Sequence, residues 1–276
     1  MPALDLLAEW PGDSRGAVIA LRDEDGDFEL RPMGELDDPH QWASVTKVAV
    51  GLGVMIAIDE GLFSLDDELG PPGSTVRHLL SHASGLGLDS AVPLSAPERK
   101  RIYSNAGFDL LGEHLARWSG LPLETYLRQA VFEPLGMERT TLKGSAASGM
   151  VGPLRELVFL LIEIMEPTLL SNTEASEMRT IQYPSLAGVL PGFGRFDPCP
   201  WGLGLEVKGT KRPHWTGARW DPGSVGHFGQ AGGFLVTTGA RDLGVVSLGD
   251  VPFGPWATTA WPSFLDDVAL EAQVAP

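Results

Sequence analysis

The sequence has one cysteine, Cys199, which excludes an intrachain disulfide and a metal site built from several cysteines. Pro198 and Pro200 flank this residue, so no basic neighbour in the sequence stands ready to activate its thiol. A cysteine nucleophile is therefore not predicted.

Positive charge is also scarce. The 276 residues include 20 Lys and Arg against 36 Asp and Glu, a formal net charge of -16, and the acidic residues are scattered along the chain. Such a protein repels phosphate backbones and anionic lipid surfaces. Neither a nucleic acid nor a membrane is an expected partner.

Long apolar runs are missing as well. The longest candidate, residues 45–58, contains Lys47 and falls short of the roughly 18 residues that span a bilayer. The N-terminal sequence M-P-A-L-D-L-L-A-E-W-P-G-D is acidic and contains proline, whereas a secretion signal has a basic start and an apolar centre. We therefore expect a cytoplasmic protein.

Several motifs that mark other enzyme classes are absent from the sequence or lie in the wrong context. G-x-S-x-G occurs once, as G-D-S-R-G at residues 12–16, but it precedes a predicted strand and not the helix that follows the nucleophile of an α/β-hydrolase, so an α/β-hydrolase is not expected. Without a Walker loop or G-x-G-x-x-G a nucleotide cofactor is not expected. His78 and His82 share a helical spacing, but no H-E-x-x-H motif or nearby third ligand accompanies them. We predict neither a cofactor nor a metal.

The chain that remains is 43% hydrophobic, enough to bury a large core. Residues 16–30 predict a strand hairpin, and residues 45–60 predict a buried helix that ends at Gly61. Further helices are predicted at residues 75–81, 106–119, 123–132, 154–165 and 261–272, with strands in L-G-L-E-V, G-G-F-L-V-T-T and G-V-V-S-L.

This order predicts an α+β fold with an antiparallel sheet built from both chain ends and flanked by helices. The predicted sheet domain comprises residues 1–60 and 185–276. A mainly helical region, residues 61–184, is inserted into it, and the active site is expected between the two.

The first candidate for chemistry is W-A-S-V-T-K, residues 42–47. A catalytic serine needs a base within hydrogen-bond reach, and positions i and i+3 of a helix put the Lys47 amine beside the Ser44 hydroxyl. Burial among valines and alanine would lower the pKa of that amine. The alternative is a helix-capping serine followed by a lysine whose amine reaches solvent.

Two later segments extend this candidate. In Y-S-N, Tyr103 could relay a proton while Asn105 binds an amide or orients the lysine; the alternative is an asparagine helix cap. In G-H-F-G-Q-A-G-G, residues 226–233, glycines would let a carbonyl approach backbone N–H groups. The alternative there is a glycine-rich turn with a surface histidine.

Taken together in this order, S-V-T-K, Y-S-N and H-F-G resemble the serine β-lactamase and penicillin-binding-protein-like superfamily, above all its class C-like esterases, amidases and D,D-peptidases. The segments H-L-L-S-H-A-S-G-L, F-E-P-L-G-M-E-R-T and W-G-L-G-L-E are also similar to that branch, so that the resemblance runs from about Ser44 to the end of the chain.

The resemblance implies an acyl-enzyme mechanism and a β-lactamase/transpeptidase-like fold. Ser44 would attack a carbonyl, Lys47 and Tyr103 would share the proton transfers, and Asn105 would contact substrate. The backbone N–H groups of Ser44 and Gln230 would form the oxyanion hole. Which of Lys47 and Tyr103 takes the first proton stays open.

The third element departs from the family pattern. The matching positions hold His227, Phe228 and Gly229 where K-T-G is usual, which removes a cation that helps to bind a substrate carboxylate. We therefore predict an esterase for small neutral acyl substrates, with a β-lactamase or D-amino-acid-specific peptidase or amidase as the alternative enzyme and a catalytically silent ligand-binding relative as the alternative outside catalysis. The expected partner is a small ester, amide or lactam, and the oligomeric state stays open.

Overall fold

A computed structural model describes residues 6–272; the remaining residues, among them the first five of the acidic N-terminal segment, lie outside this range. The strands are β1 (Arg15–Arg22), β2 (Phe28–Gly34), β3 (Pro39–Gln41), β4 (Thr141–Leu142), β5 (Met150–Pro153), β6 (Gly188–Leu190), β7 (Gly194–Phe196), β8 (Glu206–Val207), β9 (Val225–Phe228), β10 (Phe234–Thr237) and β11 (Leu243–Gly249). The helices are α1 (Thr46–Asp59), α2 (Val76–Leu80), α3 (Asn105–Ser119), α4 (Leu123–Leu127), α5 (Glu133–Leu135), α6 (Leu154–Met165), α7 (Asn172–Arg179) and α8 (Pro255–Ala272).

The main sheet has the strand order β2-β1-β11-β10-β9-β8, with antiparallel neighbours. Strand β1 pairs with β11 from Arg15 opposite Gly249 to Leu21 opposite Leu243. The two ends of the chain therefore meet in one sheet, and the predicted α+β class is confirmed.

Both faces of this sheet are covered. Because successive side chains of a strand point to opposite faces, Val18 packs into the apolar cluster that contains α1 and α6, whereas Ile19 packs into the cluster that contains α8. The first cluster joins the sheet to the helical part of the chain. Helix α6 packs on β1, β10 and β11, although it belongs to the region predicted as helical; the two-domain division stays a prediction.

Helix α1 is the buried helix that the sequence predicts, with every residue from Thr46 to Ala57 out of solvent. It passes so close to its neighbours that a Cβ atom at Gly53 would lie 2.4 Å from Leu127 Cδ2. Immediately before it, residues 43–45 form a separate 3₁₀ turn that carries Ser44. The site therefore begins at a junction between two helical geometries.

Most predicted helices are found close to the expected bounds, and α6 matches them. The predicted helix over residues 123–132 is α4 followed by a π-helical turn over Arg128–Phe132. Helix α7 is not predicted by the sequence, because its segment N-T-E-A-S-E-M-R buries only Ala175 and Met178. Among the helices of residues 6–272, none has both the length and the apolar character needed to cross a membrane.

Candidate active site

The Ser44 hydroxyl and the Lys47 amine meet as the spacing predicts, with Lys47 Nζ 3.3 Å from Ser44 Oγ. The preceding residue, Ala43, has a φ of 45°, an unfavourable conformation for a residue with a side chain. The helix-cap alternative is wrong, because Val45 occupies the cap of α1 and no side chain caps that helix. Lys47 has no exposed surface, so its amine does not reach solvent.

Lys47 is held by three acceptors. Besides Ser44, its amine donates to Asn105 Oδ1 at 2.7 Å and to the Ala147 carbonyl at 2.9 Å. Burial lowers the pKa of Lys47 to about 7, although the negative charges of Asp109 and Asp89 act in the opposite direction. Near neutral pH a large share of Lys47 is therefore an uncharged amine, which has a lone pair for a proton.

Tyr103 stands between the serine and the sheet. Its hydroxyl lies 3.4 Å from His227 Nε2, and its ring centroid lies 4.7 Å from Lys47 Nζ. Burial raises the pKa of Tyr103 far above its ordinary value, although a hydrogen bond with Ser44 opposes the rise. The phenol therefore keeps its proton and acts as a donor.

Asn105 connects the lysine to a loop. Its Oδ1 accepts from Lys47, and its Nδ2 donates to Asp89 Oδ1 at 2.8 Å, which fixes the orientation of the amide. The capping role that the sequence allowed for Asn105 belongs to Ser104, whose hydroxyl accepts from Gly107 N at 3.0 Å. Asn105 is therefore free to face the cavity.

His227 lies on β9 and is only 3% exposed, so the alternative of a surface histidine is wrong. Its Nδ1 is 2.8 Å from the Phe228 carbonyl, which can only accept, so Nδ1 carries the proton and Nε2 presents a lone pair to Tyr103. Burial, together with the nearby Lys47 amine, lowers the pKa of His227 to about 3. The histidine is thus neutral at physiological pH.

The end of β9 lies directly against the serine turn. A Cβ atom at Gly229 would be 2.3 Å from the Trp42 carbonyl oxygen and 3.3 Å from Ser44 N, so only glycine allows this approach. Gly229 N donates to the Gly233 carbonyl at 2.8 Å and shapes the turn that follows, and Gln230 lines the cavity beside Ser44. The two predicted oxyanion donors therefore belong to adjoining stretches of backbone.

These residues border a cavity of about 280 Å³. This volume is just below that of most ligand pockets, which is roughly 300–1,000 Å³, so the cavity suits a small acyl group. The remaining lining residues, for which the sequence predicted no role in a cavity, are Leu88, Leu190, Pro191, Trp201 and Glu206.

Glu206 is a buried carboxylate at the cavity wall. Its Oε1 accepts from Lys211 at 2.7 Å and from His214 at 3.0 Å, and its Oε2 accepts from Trp215 Nε1 at 2.7 Å. Burial alone would raise the pKa of Glu206, but the Lys211 and His214 side chains hold it well below its usual range. With both oxygens occupied, Glu206 is a structural anion and not the base.

Two further residues support the site and had no signal in the sequence for that role. Asp89 fixes Asn105, as described above. His82, which has a φ of 58°, has its ring centroid 4.5 Å from the centroid of the Tyr103 ring. Its Nδ1 accepts a hydrogen bond from Ser104 N at 3.2 Å. It thereby holds the Y-S-N segment against the core.

Comparison with known proteins places this geometry in context. A family model described as Beta-lactamase matches residues 15–257. The solved structure of a beta-lactamase from Mycobacterium bovis is 39% identical, with a TM-score of 0.94, and the match covers 98% of this chain and 99% of that one.

More distant similarity links the chain to a peptidase sequence and to the fold of a synthase. The D-alanyl-D-alanine-carboxypeptidase/endopeptidase AmpH of Escherichia coli (strain K12) is 29% identical over 149 residues, 41% of this chain, so the chain spans 38% of the length of this relative. A simvastatin synthase mutant from Aspergillus terreus has a TM-score of 0.74 at 19% identity, covering 94% of this chain and 91% of that one, which shows a shared fold alone.

Proposed function

The chain belongs to the beta-lactamase family, and we propose that it is a serine hydrolase that forms an acyl-Ser44 intermediate and cleaves small esters. The observation that carries this proposal is the buried Lys47 amine, whose pKa of about 7 and distance of 3.3 Å from Ser44 Oγ suit a general base. A purely structural lysine has no need of a serine partner beside a cavity.

In the proposed acylation step, neutral Lys47 removes the proton from Ser44 Oγ as that oxygen attacks the ester carbonyl carbon. The carbonyl oxygen becomes an anion, which the backbone N–H groups of Ser44 and Gln230 stabilise. The shifted pKa values favour Lys47 over Tyr103 as the first base, because the pKa of Tyr103 is raised and a tyrosinate would be costly.

Collapse of this intermediate breaks the bond to the alcohol. Tyr103, whose hydroxyl lies between Ser44 and His227, donates its proton to the departing oxygen and is reprotonated from the Lys47 ammonium. Water then attacks the acyl-serine by the reverse proton route, which releases the acid and restores Ser44. Asn105 holds Lys47 through its Oδ1 and offers its amide group at the cavity wall.

The third segment supports an ester or another neutral acyl compound over a carboxylate-bearing lactam at this position. His227 is neutral and Phe228 is a buried apolar side chain at the cavity, so neither supplies the cation that a carboxylate beside the reacting carbonyl requires. A cytoplasmic location stays a prediction from the sequence.

The proposal is tested by steady-state hydrolysis of three substrates side by side: a short p-nitrophenyl ester, a chromogenic cephalosporin and a D-alanyl-D-alanine peptide. We expect the ester to have the highest kcat/KM, and Ser44→Ala to abolish its turnover. Hydrolysis of the lactam or peptide alone would contradict the ester assignment.

A D,D-peptidase is the second candidate, and the similarity to AmpH and to penicillin-binding protein 4* of Bacillus subtilis (strain 168), 26% identical over 148 residues, favours it. The same substrate panel separates it from the esterase. Absence of any turnover, with ligand binding preserved, would favour the catalytically silent relative.

A further inference from the structure

A second depression adjoins the catalytic cavity. It has a volume of about 650 Å³, and the two share Leu88, Tyr103 and Pro191 in their walls. We call this second depression the outer groove; residues 99–103 and 187–191, together with Leu94 and Arg195, supply most of its lining. A substrate seated at Ser44 and longer than the cavity has this groove beside it.

The outer groove exposes large apolar side chains. Leu88 is 50% exposed, Leu94 64% and Val189 60%, among the most exposed of such residues in the part of the chain that the structure describes. Several apolar side chains gathered in a depression, beside a cavity with a nucleophile, indicate a binding surface for an apolar chain.

The same groove gathers positive charge on a protein with a net charge of -16. Arg99, Lys100 and Arg195 line it with exposed side chains, and within residues 6–272 none of the three forms an ion pair or a side-chain hydrogen bond. The neighbouring acid Glu98 contacts His78 Nε2 at 3.0 Å, and within residues 6–272 it forms no ion pair with any of the three cations.

A fourth basic residue of the groove has a different role. Arg101 is buried and donates to the carbonyl oxygens of Cys199 at 3.0 Å and Gln182 at 2.7 Å. Its backbone N–H donates to the Ala187 carbonyl at 2.7 Å, which ties the segment that bears Arg99 and Lys100 to the wall that bears Val189. Arg195 lies on β7, which pairs with β6, and it stands opposite Val189, so the three exposed cations are carried by backbone that is hydrogen-bonded together.

We propose that the outer groove binds the distal part of the substrate, an apolar chain of a few carbons that ends in an anionic group, a carboxylate or a phosphate. The inference rests on the proposed function for the reacting end. There His227 and Phe228 supply no cation for an anionic group, and the negative charge of the substrate lies beyond the cavity. Guanidinium groups suit both anions because their donors match two oxygens at once.

The test compares two esters of equal chain length, p-nitrophenyl hexanoate and mono-p-nitrophenyl adipate, which differ by a terminal carboxylate. We expect the triple variant Arg99→Gln, Lys100→Gln, Arg195→Gln to lower the ratio of kcat/KM for the adipate over the hexanoate by about tenfold or more. A matched variant, Lys143→Gln, Arg212→Gln, Arg219→Gln, removes the same charge outside the groove and should leave this ratio unchanged.

An equal ratio in the wild type and the groove variant, or an equal fall in the matched variant, overturns the proposal. Inhibition of wild-type hydrolysis of the neutral ester by hexanoate and by hexyl phosphate, with hexanol as the uncharged control, shows which anion is preferred.

A binding measurement that needs no turnover tests the outer groove separately from the proposed hydrolase activity. Calorimetric titration of Ser44→Ala protein with the uncleaved adipate ester should give about tenfold weaker binding when the three groove cations are also replaced. If binding depends on the groove cations but the wild type hydrolyses no ester, the hydrolase proposal is wrong and the groove proposal stands. If the wild type hydrolyses the esters but neither experiment depends on the groove cations, the groove proposal is wrong and the hydrolase proposal stands.

Discussion

At the scale of single residues, burial turns an ordinary lysine into a base. Lys47 has no exposed surface, and its three acceptors are a hydroxyl, an amide oxygen and a carbonyl, none of which carries a full negative charge. A neighbouring carboxylate in contact would have held the ammonium form. Within residues 6–272 no carboxylate contacts the Lys47 amine, and this permits a pKa of about 7.

The pH dependence of ester hydrolysis follows from this value. The base must be unprotonated, so kcat/KM should rise with increasing pH and level off above a midpoint near 7, the pKa given by burial of Lys47. Initial rates with a p-nitrophenyl ester between pH 5 and 9 measure the curve. A flat profile, or a rate that still rises without levelling off at pH 9, as the ordinary pKa of 10.5 would give, would contradict the buried Lys47 amine as the base.

Asp89 is a positioning residue, and its charge also raises the pKa of Lys47. Asp89→Asn keeps an oxygen for Asn105 Nδ2 but removes the negative charge, so the ammonium form loses support and its pKa falls. We expect the midpoint of the kcat/KM profile to move to lower pH. Glu113→Gln, an exposed acid elsewhere, is the control and should not move it; an unchanged midpoint in Asp89→Asn refutes the role.

The sequence predicts those site residues that lie together in short motifs. Ser44 and Lys47 are one helical turn apart, so their contact is predictable from spacing. Asp89 and His82 reach the site because their loops fold back on Tyr103 and Asn105, and no local pattern encodes that return. Polar residues in irregular segments therefore escape sequence reasoning even when they contact the site.

At the scale of elements, the site depends on the approach of β9 to the serine turn. Gly229→Ala would place a Cβ atom 2.3 Å from the Trp42 carbonyl oxygen, and because that oxygen is backbone and the Cβ atom is fixed to its own Cα, the strand end must shift. We expect kcat for ester hydrolysis to fall about 100-fold as the oxyanion donors move out of line.

Gly249→Ala is the control for this change. It lies at the end of a strand of the same sheet, and its added Cβ atom would be 3.6 Å from the nearest side chain, an ordinary contact. Its kcat should match the wild type. Equal activity of Gly229→Ala and Gly249→Ala would show that the approach of β9 is not needed for catalysis.

Elements were predictable where burial leaves a strong pattern. Helix α6 buries most of its residues on the sheet and was predicted with its observed bounds, whereas α7 is polar, buries two residues and was missed. The short sheet of β3, β5 and β4 also gave no signal, because two- to four-residue strands have too few positions to show alternation.

At the scale of the whole molecule, one apolar cluster joins the sheet to the helices. It contains Val18 of β1 and Val246 of β11 together with residues of α1 and α6, so the helix that follows Ser44 cannot lose its packing independently of the sheet. Composition and element order were enough to predict the fold class. The boundary between two domains stays a prediction, because one core is shared by the sheet and the helices.

We therefore expect the site and the sheet to unfold together. In a urea titration, the loss of active-site labelling by a fluorophosphonate and the loss of tryptophan near-ultraviolet dichroism should have the same midpoint, since eight tryptophans report on the tertiary packing. Two clearly separated midpoints would indicate that the helical region unfolds as an independent domain.

The central claim is that Ser44 is a nucleophile activated by Lys47, and intact-mass spectrometry after treatment with a fluorophosphonate tests it most directly. We predict one adduct on the wild type, located on the peptide that contains Ser44, no adduct on Ser44→Ala, and strongly slowed labelling of Lys47→Met. No adduct on the folded wild type, or equal labelling of Ser44→Ala, would contradict the account.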